Sequence, residues 1–306
     1  MIGSYHKILN RYLMDRSRSL KDYYESDACD LEALKSLNYD DRQEQDYNNP
    51  HIQDLYAMRY MYAYAYEYRT MFQRLQEEAE LPAVLNILSI GCGNGIDYWA
   101  VREAQTLELP QESPKKRFIK YTGIDLVPWK FRWGEKYLSM KADVHYETVD
   151  AAAFLRENPV LPYNIIVFPK SISEFPEDVF KTILDCFTSA KFQFKGKDGQ
   201  PRNIQRVHFL VSLRIKKGVA PDELMDTKRS DRLIEAMVKN GFALENSAKV
   251  EQGAAGEICI YEQEDGFDYP MEAMNFMKKL SNEDIKIPML HTRYVCNRIM
   301  SFVRKG

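Results

Sequence analysis

The run from Ile87 to Asp97, Ile-Leu-Ser-Ile-Gly-Cys-Gly-Asn-Gly-Ile-Asp, constrains the fold more than any other stretch of the chain. Its first residues are almost all aliphatic and read as a strand buried on both faces. Gly91, Gly93 and Gly95 follow at alternate positions, and then an amphipathic run, YWAVREAQTL, begins. Without a Cβ, glycine lets the backbone turn sharply and lets a ligand come close. The first turn of the helix adds N–H groups that have no intrahelical partner. A buried strand entering a helix through such a turn suits a parallel α/β sheet, whose ligands lie beyond the carboxyl ends of the strands.

Spacing narrows the reading. A dinucleotide turn requires G-x-G-x-x-G, and Ile96 stands where its third glycine belongs. The G-x-G-x-G order in IGCGNG, with a strand before it, instead resembles the first motif of class I S-adenosylmethionine-dependent methyltransferases. The resemblance covers about residues 83–265. It implies an α/β fold with a Rossmann-like, doubly wound, mainly parallel seven-stranded sheet, S-adenosyl-L-methionine as cofactor, and methyl transfer as the reaction.

Residue by residue, the resemblance implies cofactor contacts from Ser89, Gly91, Cys92, Gly93, Asn94, Gly95 and Asp97. Asp125 ends the second strand, YTGID, thirty positions beyond Gly95, and would accept hydrogen bonds from two ribose hydroxyls; Leu126 follows it. Asp150, after the third strand, would meet the exocyclic amine of adenine, with Ala151 leaving room for the ring. Asp150 reads equally well as the N-cap of AAAFLRE. Pro169 closes the fourth strand, and Lys170, Ser171 and Glu174 beyond it are the candidate catalytic, acceptor-contacting residues. Each of these three, taken alone, also reads as a loop side chain or a helix cap. The segment lacks the D/N-P-P-Y/F/W signature of amide-nitrogen methyltransferases. One departure stands out: Ser89 occupies a position where family members often carry a carboxylate. Asp97 either takes over the contact to the cofactor's ammonium or favours the positive end of the helix dipole.

Three parts are expected along the chain. Residues 1–82 form a helical N-terminal extension or lid, 83–265 the cofactor-binding domain, and 266–306 a helical C-terminal extension. In the middle part VLNILSI, YTGIDLV, YNIIVF, RVHFLVSL and GEICIYE read as strands separated by amphipathic helices, the pattern of a parallel sheet covered on both faces. PQESPKKR and KGKDGQPRN read as surface loops. In the first part a helix is expected between Asp54 and Glu80. It places Tyr56, Tyr60, Tyr64, Tyr68 and Phe72 in one stripe, with Tyr62 and Tyr66 on another face. Such a stripe serves either as core packing or as a lid whose aromatic faces favour a sulfonium or a cationic amine.

A net charge of -3 carries no overall footprint for nucleic acid. Five scattered cysteines, Cys29, Cys92, Cys186, Cys259 and Cys296, show no metal-ligand spacing and suit a reducing compartment. Lys7, Arg11 and Asp15 interrupt the apolar positions of the first residues, so a secretory leader is not expected and a cytoplasmic location is. No membrane span is expected either. The leading functional reading is methylation of a small-molecule acceptor enclosed by the helical extensions. An RNA or protein substrate is the second, resting on Arg293, Arg298, Arg304 and Lys305 and on Lys115, Lys116, Arg117 and Lys120. A non-catalytic member of the same fold, acting as a binding or assembly partner, is the third and rests on Ser89.

Overall fold

The computed structural model describes residues 4–38, 47–107, 117–133, 143–214, 223–252, 269–288 and 295–305. The main sheet is built from β1 (Val84–Ile90), β2 (Phe118–Asp125), β3 (Asp143–Thr148), β5 (Ile165–Pro169), β8 (Arg206–Ser212), β9 (Phe242–Gln252) and β10 (Val295–Arg304). A small sheet contains β4 (Val160–Leu161), β6 (Lys191–Lys195) and β7 (Pro201–Asn203). The helices are α1 (Ser4–Tyr24), α2 (Leu31–Lys35), α3 (Pro50–Glu78), α4 (Ile96–Leu107), α5 (Ala151–Glu157), α6 (Glu177–Ser189), α7 (Met225–Lys239) and α8 (Met271–Ser281).

The seven strands lie in the order β3-β2-β1-β5-β8-β10-β9. β1 pairs in parallel with β2 and β5, β2 with β3, and β5 with β8, whereas β10 runs antiparallel to both β8 and β9. This is the doubly wound, mainly parallel seven-stranded α/β sheet expected from the sequence. The chain moves outward from β1 to β3 and then crosses back to β5 on the other side of β1. The strand order therefore reverses between β1 and β5, which opens a crevice at their carboxyl ends.

Each face of the sheet carries its own apolar core. On one side α1, α3, α4 and α8 close over Tyr12, Met58, Met71, Trp99 and Leu210. On the other, α5, α6 and α7 close over Phe168, Phe180, Phe187 and Phe209. Helix α3 has Asn49 as its N-cap and Pro50 in its first turn, two start signals that satisfy or dispense with free N–H groups. It lies against α1 and α4 and reaches β8 and β10.

The C-terminal extension is half as expected. Helix α8 forms within MEAMNFMKKL, but HTRYVCNRIMSFVRK contributes the strand β10, so this part is not wholly helical. The reason lies in its polar residues. Asn297, Arg298 and Ser301 are all buried, and they bond to the Glu67 carbonyl, to Asp231 and Ser230, and to His208 respectively. A strand buried on both faces normally reads as an apolar run, and these residues disguise it. KGKDGQPRN is likewise not all loop, since β7 folds back antiparallel on β6. The GEICIYE segment lies outside the described residues, and so does most of PQESPKKR. Among the described residues no helix is long and apolar enough to cross a membrane.

Candidate functional site

At the end of β1 the chain turns through Gly91, Gly93 and Gly95, with φ of 72°, 55° and 78°. At Gly91 a Cβ would lie 2.5 Å from the Cβ of Ser171, and at Gly95 it would collide with the hydroxyl of Tyr146. The turn is braced from within. The N–H groups of Gly91 and Cys92 both donate to the Ile124 carbonyl, at 2.8 and 3.1 Å, and Gly95 N–H donates to the Cys92 carbonyl at 2.9 Å. The loop therefore offers a ligand its bare glycine surface, while these three donors are engaged by the protein itself.

Asp125, at the carboxyl end of β2, faces this turn. Its Oδ2 accepts from Gly93 N–H at 2.7 Å and its Oδ1 from Val127 N–H at 2.9 Å. Burial raises its pKa, and those two N–H groups and Arg132 oppose the rise. The Trp129 side chain also hydrogen-bonds to the carboxylate and opposes the rise. A carboxylate has about four lone-pair sites, so with three donors engaged it retains one for a further donor. The indole of Trp129 lies beside Gly93, 3.6 Å from where a Cβ would stand.

Aromatic rings continue from that indole. Trp129 meets Tyr56 at 5.3 Å between ring centroids, Tyr56 meets Tyr60 at 5.0 Å, and Tyr60 stacks on Tyr64 at 5.5 Å. The Lys170 ammonium stands 5.2 Å over the Tyr64 ring. Ser171 then leads back to Gly91 through a 2.5 Å hydrogen bond from its Oγ to the Ile90 carbonyl. These contacts form a circuit of glycine turn, Trp129, three tyrosines, Lys170 and Ser171, with Tyr47 stacked on Trp129 and edge-on to Tyr56. The tyrosine stripe thus divides its work. Tyr56, Tyr60 and Tyr64 keep part of their surface and line the circuit, whereas Tyr62, Tyr68 and Phe72 are core. Burial raises the phenol pKa of Tyr56 and Tyr64, which leaves them hydrogen-bond donors and poor bases.

The candidate catalytic residues separate. Lys170, at φ 56°, forms an ion pair with Glu67 of α3 at 2.9 Å. Glu174 pairs with Arg214 at the end of β8, and both are about half exposed. Ser171 is buried and its hydroxyl donates to the Ile90 carbonyl, which fastens the loop to β1.

Of the expected cofactor residues, Gly91, Gly93, Asp125 and Pro169 are partly accessible, and Leu126 is 72% exposed. Cys92 turns its buried thiol toward Gly123. Asn94 is buried, and its carbonyl accepts from Trp133 N–H. Ser89 and Asp97 are both fully buried. Burial pushes the Asp97 carboxyl up to about 6, against hydrogen bonds from Ser89, Tyr121 and the backbone N–H groups of Asp97 and Tyr98. Asp97 thus closes the first turn of α4 from inside, as the helix-dipole reading expects. Asp150 is the N-cap of α5, accepting from Ala153 N–H at 2.9 Å, with Ala151 buried behind it.

Among the described residues, three members of the basic clusters are engaged within the protein. Arg298 is buried and pairs with Asp231, Arg304 lies over the Phe242 ring, and Lys120 pairs with Asp143. Lys115, Lys116 and Arg293 lie outside the described residues. Trp129, Glu67 and Arg214 were not foreseen as site residues. Only Trp129, four residues beyond Asp125, carried a local sequence signal.

No family model and no curated protein matches the chain. Among solved structures it is similar to the plantazolicin methyltransferase BpumL in complex with SAH, at 12% identity over 96% of this chain and 100% of that one, with a TM-score of 0.35. It is also similar to a SAM-dependent methyltransferase from Archaeoglobus fulgidus (11% identity, 78% and 94% of the two chains, TM-score 0.37). A third is the trans-methyltransferase CalH in complex with SAH (12% identity, 90% and 62%, TM-score 0.41). At these scores the likeness decides neither cofactor nor reaction.

Proposed function

We propose that the chain is an S-adenosylmethionine-dependent methyltransferase acting on a small-molecule acceptor held under α3. The observation that carries this reading is the juxtaposition of Asp125 with the glycine turn and Trp129 inside one circuit of contacts. The donor set fits the cofactor. Asp125 keeps a lone pair for a ribose hydroxyl, and Gly93 supplies surface without a side chain. The indole and phenol faces favour a sulfonium by about 0.5–2 kcal/mol per good contact.

Bound there, the cofactor supplies an activated methyl group. The protein's share is alignment and exclusion of water. Tyr56, Tyr60 and Tyr64 roof the crevice, Ser171 locks the β5 loop to β1, and the Glu174–Arg214 pair stands at its edge. Positioning of this kind is worth up to about 7–11 kcal/mol in ideal intramolecular cases. The occupied N–H groups of the turn favour a second reading, a non-catalytic member of the fold.

Thermal unfolding and calorimetry with S-adenosylmethionine and S-adenosylhomocysteine decide between them. Ligand at a hundred times its dissociation constant should add about 2.7 kcal/mol of stability. No heat of binding and no shift at millimolar ligand would leave the non-catalytic reading in place.

A further inference from the structure

Glu67 and Lys170 hold the least expected arrangement in the molecule. Glu67 sits mid-helix on α3, where an amphipathic pattern buries apolar side chains, yet it is 2% exposed. Its Oε2 receives the Lys170 ammonium at 2.9 Å and its Oε1 the Ser212 hydroxyl at 2.5 Å. The carboxylate is thus engaged from behind by β8 and from the front by the loop after β5. Lys170 keeps 15% of its side chain accessible against 3% for Glu67, so the cation is the member of the pair that reaches the crevice. Its backbone adopts a left-handed conformation that side chains other than glycine disfavour. Such strain persists where the surroundings over-determine it, typically at binding sites.

An ammonium is a donor only, with three N–H bonds. One is given to Glu67, and the ammonium stands over the face of Tyr64, from which Tyr60, stacked on it, and Tyr56, tilted by 53°, continue an aromatic wall. A planar ring lying on that wall would bring a substituent oxygen to the ammonium. The other charges nearby, Glu174 and Arg214, neutralise each other at the edge.

We propose that Lys170, positioned by Glu67, is an oxyanion-binding group, and that the crevice takes a planar aromatic acceptor carrying an ionised hydroxyl. This proposal rests on the methyltransferase reading of the same site.

The test is equilibrium binding of 4-nitrophenolate, followed by its visible absorbance, with 4-nitroaniline as the uncharged mimic of the same shape. Titrations are run with and without S-adenosylhomocysteine, whose own binding is measured calorimetrically on the same samples. Wild type should prefer nitrophenolate to nitroaniline. Lys170→Gln should weaken nitrophenolate by about tenfold, the size of one charge-assisted hydrogen bond, and leave nitroaniline unchanged. Lys170→Arg should keep most of the preference, and Glu67→Gln should reduce the ratio between the two probes, which a general loss of structure would not do. Equal binding of the probes, no binding of nitrophenolate, or an unchanged affinity in Lys170→Gln would each overturn the proposal. Absence of S-adenosylhomocysteine binding alongside a normal nitrophenolate preference would instead overturn the methyltransferase reading and keep the subsite.

Discussion

Asp125 does two things at once, and its substitution must show both. It accepts the N–H groups of Gly93 and Val127 and hydrogen-bonds to the Trp129 side chain, and the proposed site calls on its remaining lone pair. In Asp125→Asn one of the two backbone donors would face an amide NH2 group. A buried donor without its partner costs about 1–3 kcal/mol, so the variant should melt lower than wild type even without ligand. Its stabilisation by S-adenosylhomocysteine should also shrink. A variant that loses stability and keeps full ligand stabilisation would confine Asp125 to bracing the turn. Gly95 tests the turn itself. Alanine there meets the left-handed penalty of about 1–2 kcal/mol and an overpacking cost of about 1–3 kcal/mol against Tyr146. Gly95→Ala should therefore lose several kcal/mol in denaturant unfolding, and a loss below about 1 kcal/mol would show that Tyr146 moves aside freely. At this scale the sequence was legible where one residue type has one physical use. The glycines and the acid closing β2 come together at the carboxyl ends of β1 and β2. Ser171 and Asp97 each carried two readings, because a polar side chain near a motif looks the same from sequence whether it faces ligand or core.

Strands and helices reveal a different kind of legibility. β1, β2, β5 and β8 carry apolar runs bounded by turns, and the pattern alone locates them. β10 lies between β8 and β9 with buried Asn297, Arg298 and Ser301, so its polar content hides it; their partners come from residues far away in sequence. β9 occupies the sheet edge, where polar residues such as Glu245 and Asn246 suit an exposed rim. The β8–β10 seam also carries a pH prediction. His208, 1% exposed, shares a 2.9 Å hydrogen bond between its Nδ1 and Ser301 Oγ, and burial lowers its pKa from 6.5 to about 4. A depressed histidine stays neutral in the fold while the unfolded chain takes up a proton. Its contribution to stability is therefore full above pH 6.5 and is lost as the pH falls from there toward about 4. The loss amounts to at most about 3 kcal/mol at 1.36 kcal/mol per unit. His208→Gln should flatten that part of the stability profile in urea titrations. An unchanged slope between pH 6.5 and 4 would assign the acid sensitivity to other groups.

At the scale of the whole molecule, the N-terminal residues set the deepest question, because a lid and a supporting wall predict different behaviour. The sequence suggests a separable extension, residues 1–82, laid over a domain that begins at 83. In the structure α3 is the partner of α4 and reaches β8 and β10, and α1 packs on α3 in turn. Tyr12, Met58, Met71 and Leu75 share one continuous apolar core with Tyr98, Trp99, Ala104 and Leu210. The same helix carries Glu67, Tyr56, Tyr60 and Tyr64, so the wall that completes the core also roofs the crevice. Sequence could not reveal this, since an aromatic stripe at helical spacing has the same appearance whether it packs inward or covers a ligand. Burying a large apolar side chain is worth about 1.5–3 kcal/mol. Uncovering half a dozen on α4 and the sheet would consume the roughly 5–15 kcal/mol that holds an ordinary domain together. A fragment spanning residues 83–306 is therefore expected to lack fixed tertiary packing. The check is near-ultraviolet circular dichroism and urea unfolding of that fragment beside the full chain. The wall account expects no sharp aromatic signal and no cooperative transition, and addition of a peptide covering residues 1–82 should restore both if it can dock. A fragment that unfolds cooperatively on its own would make these helices a true lid, free to open over the crevice without loss of the sheet beneath.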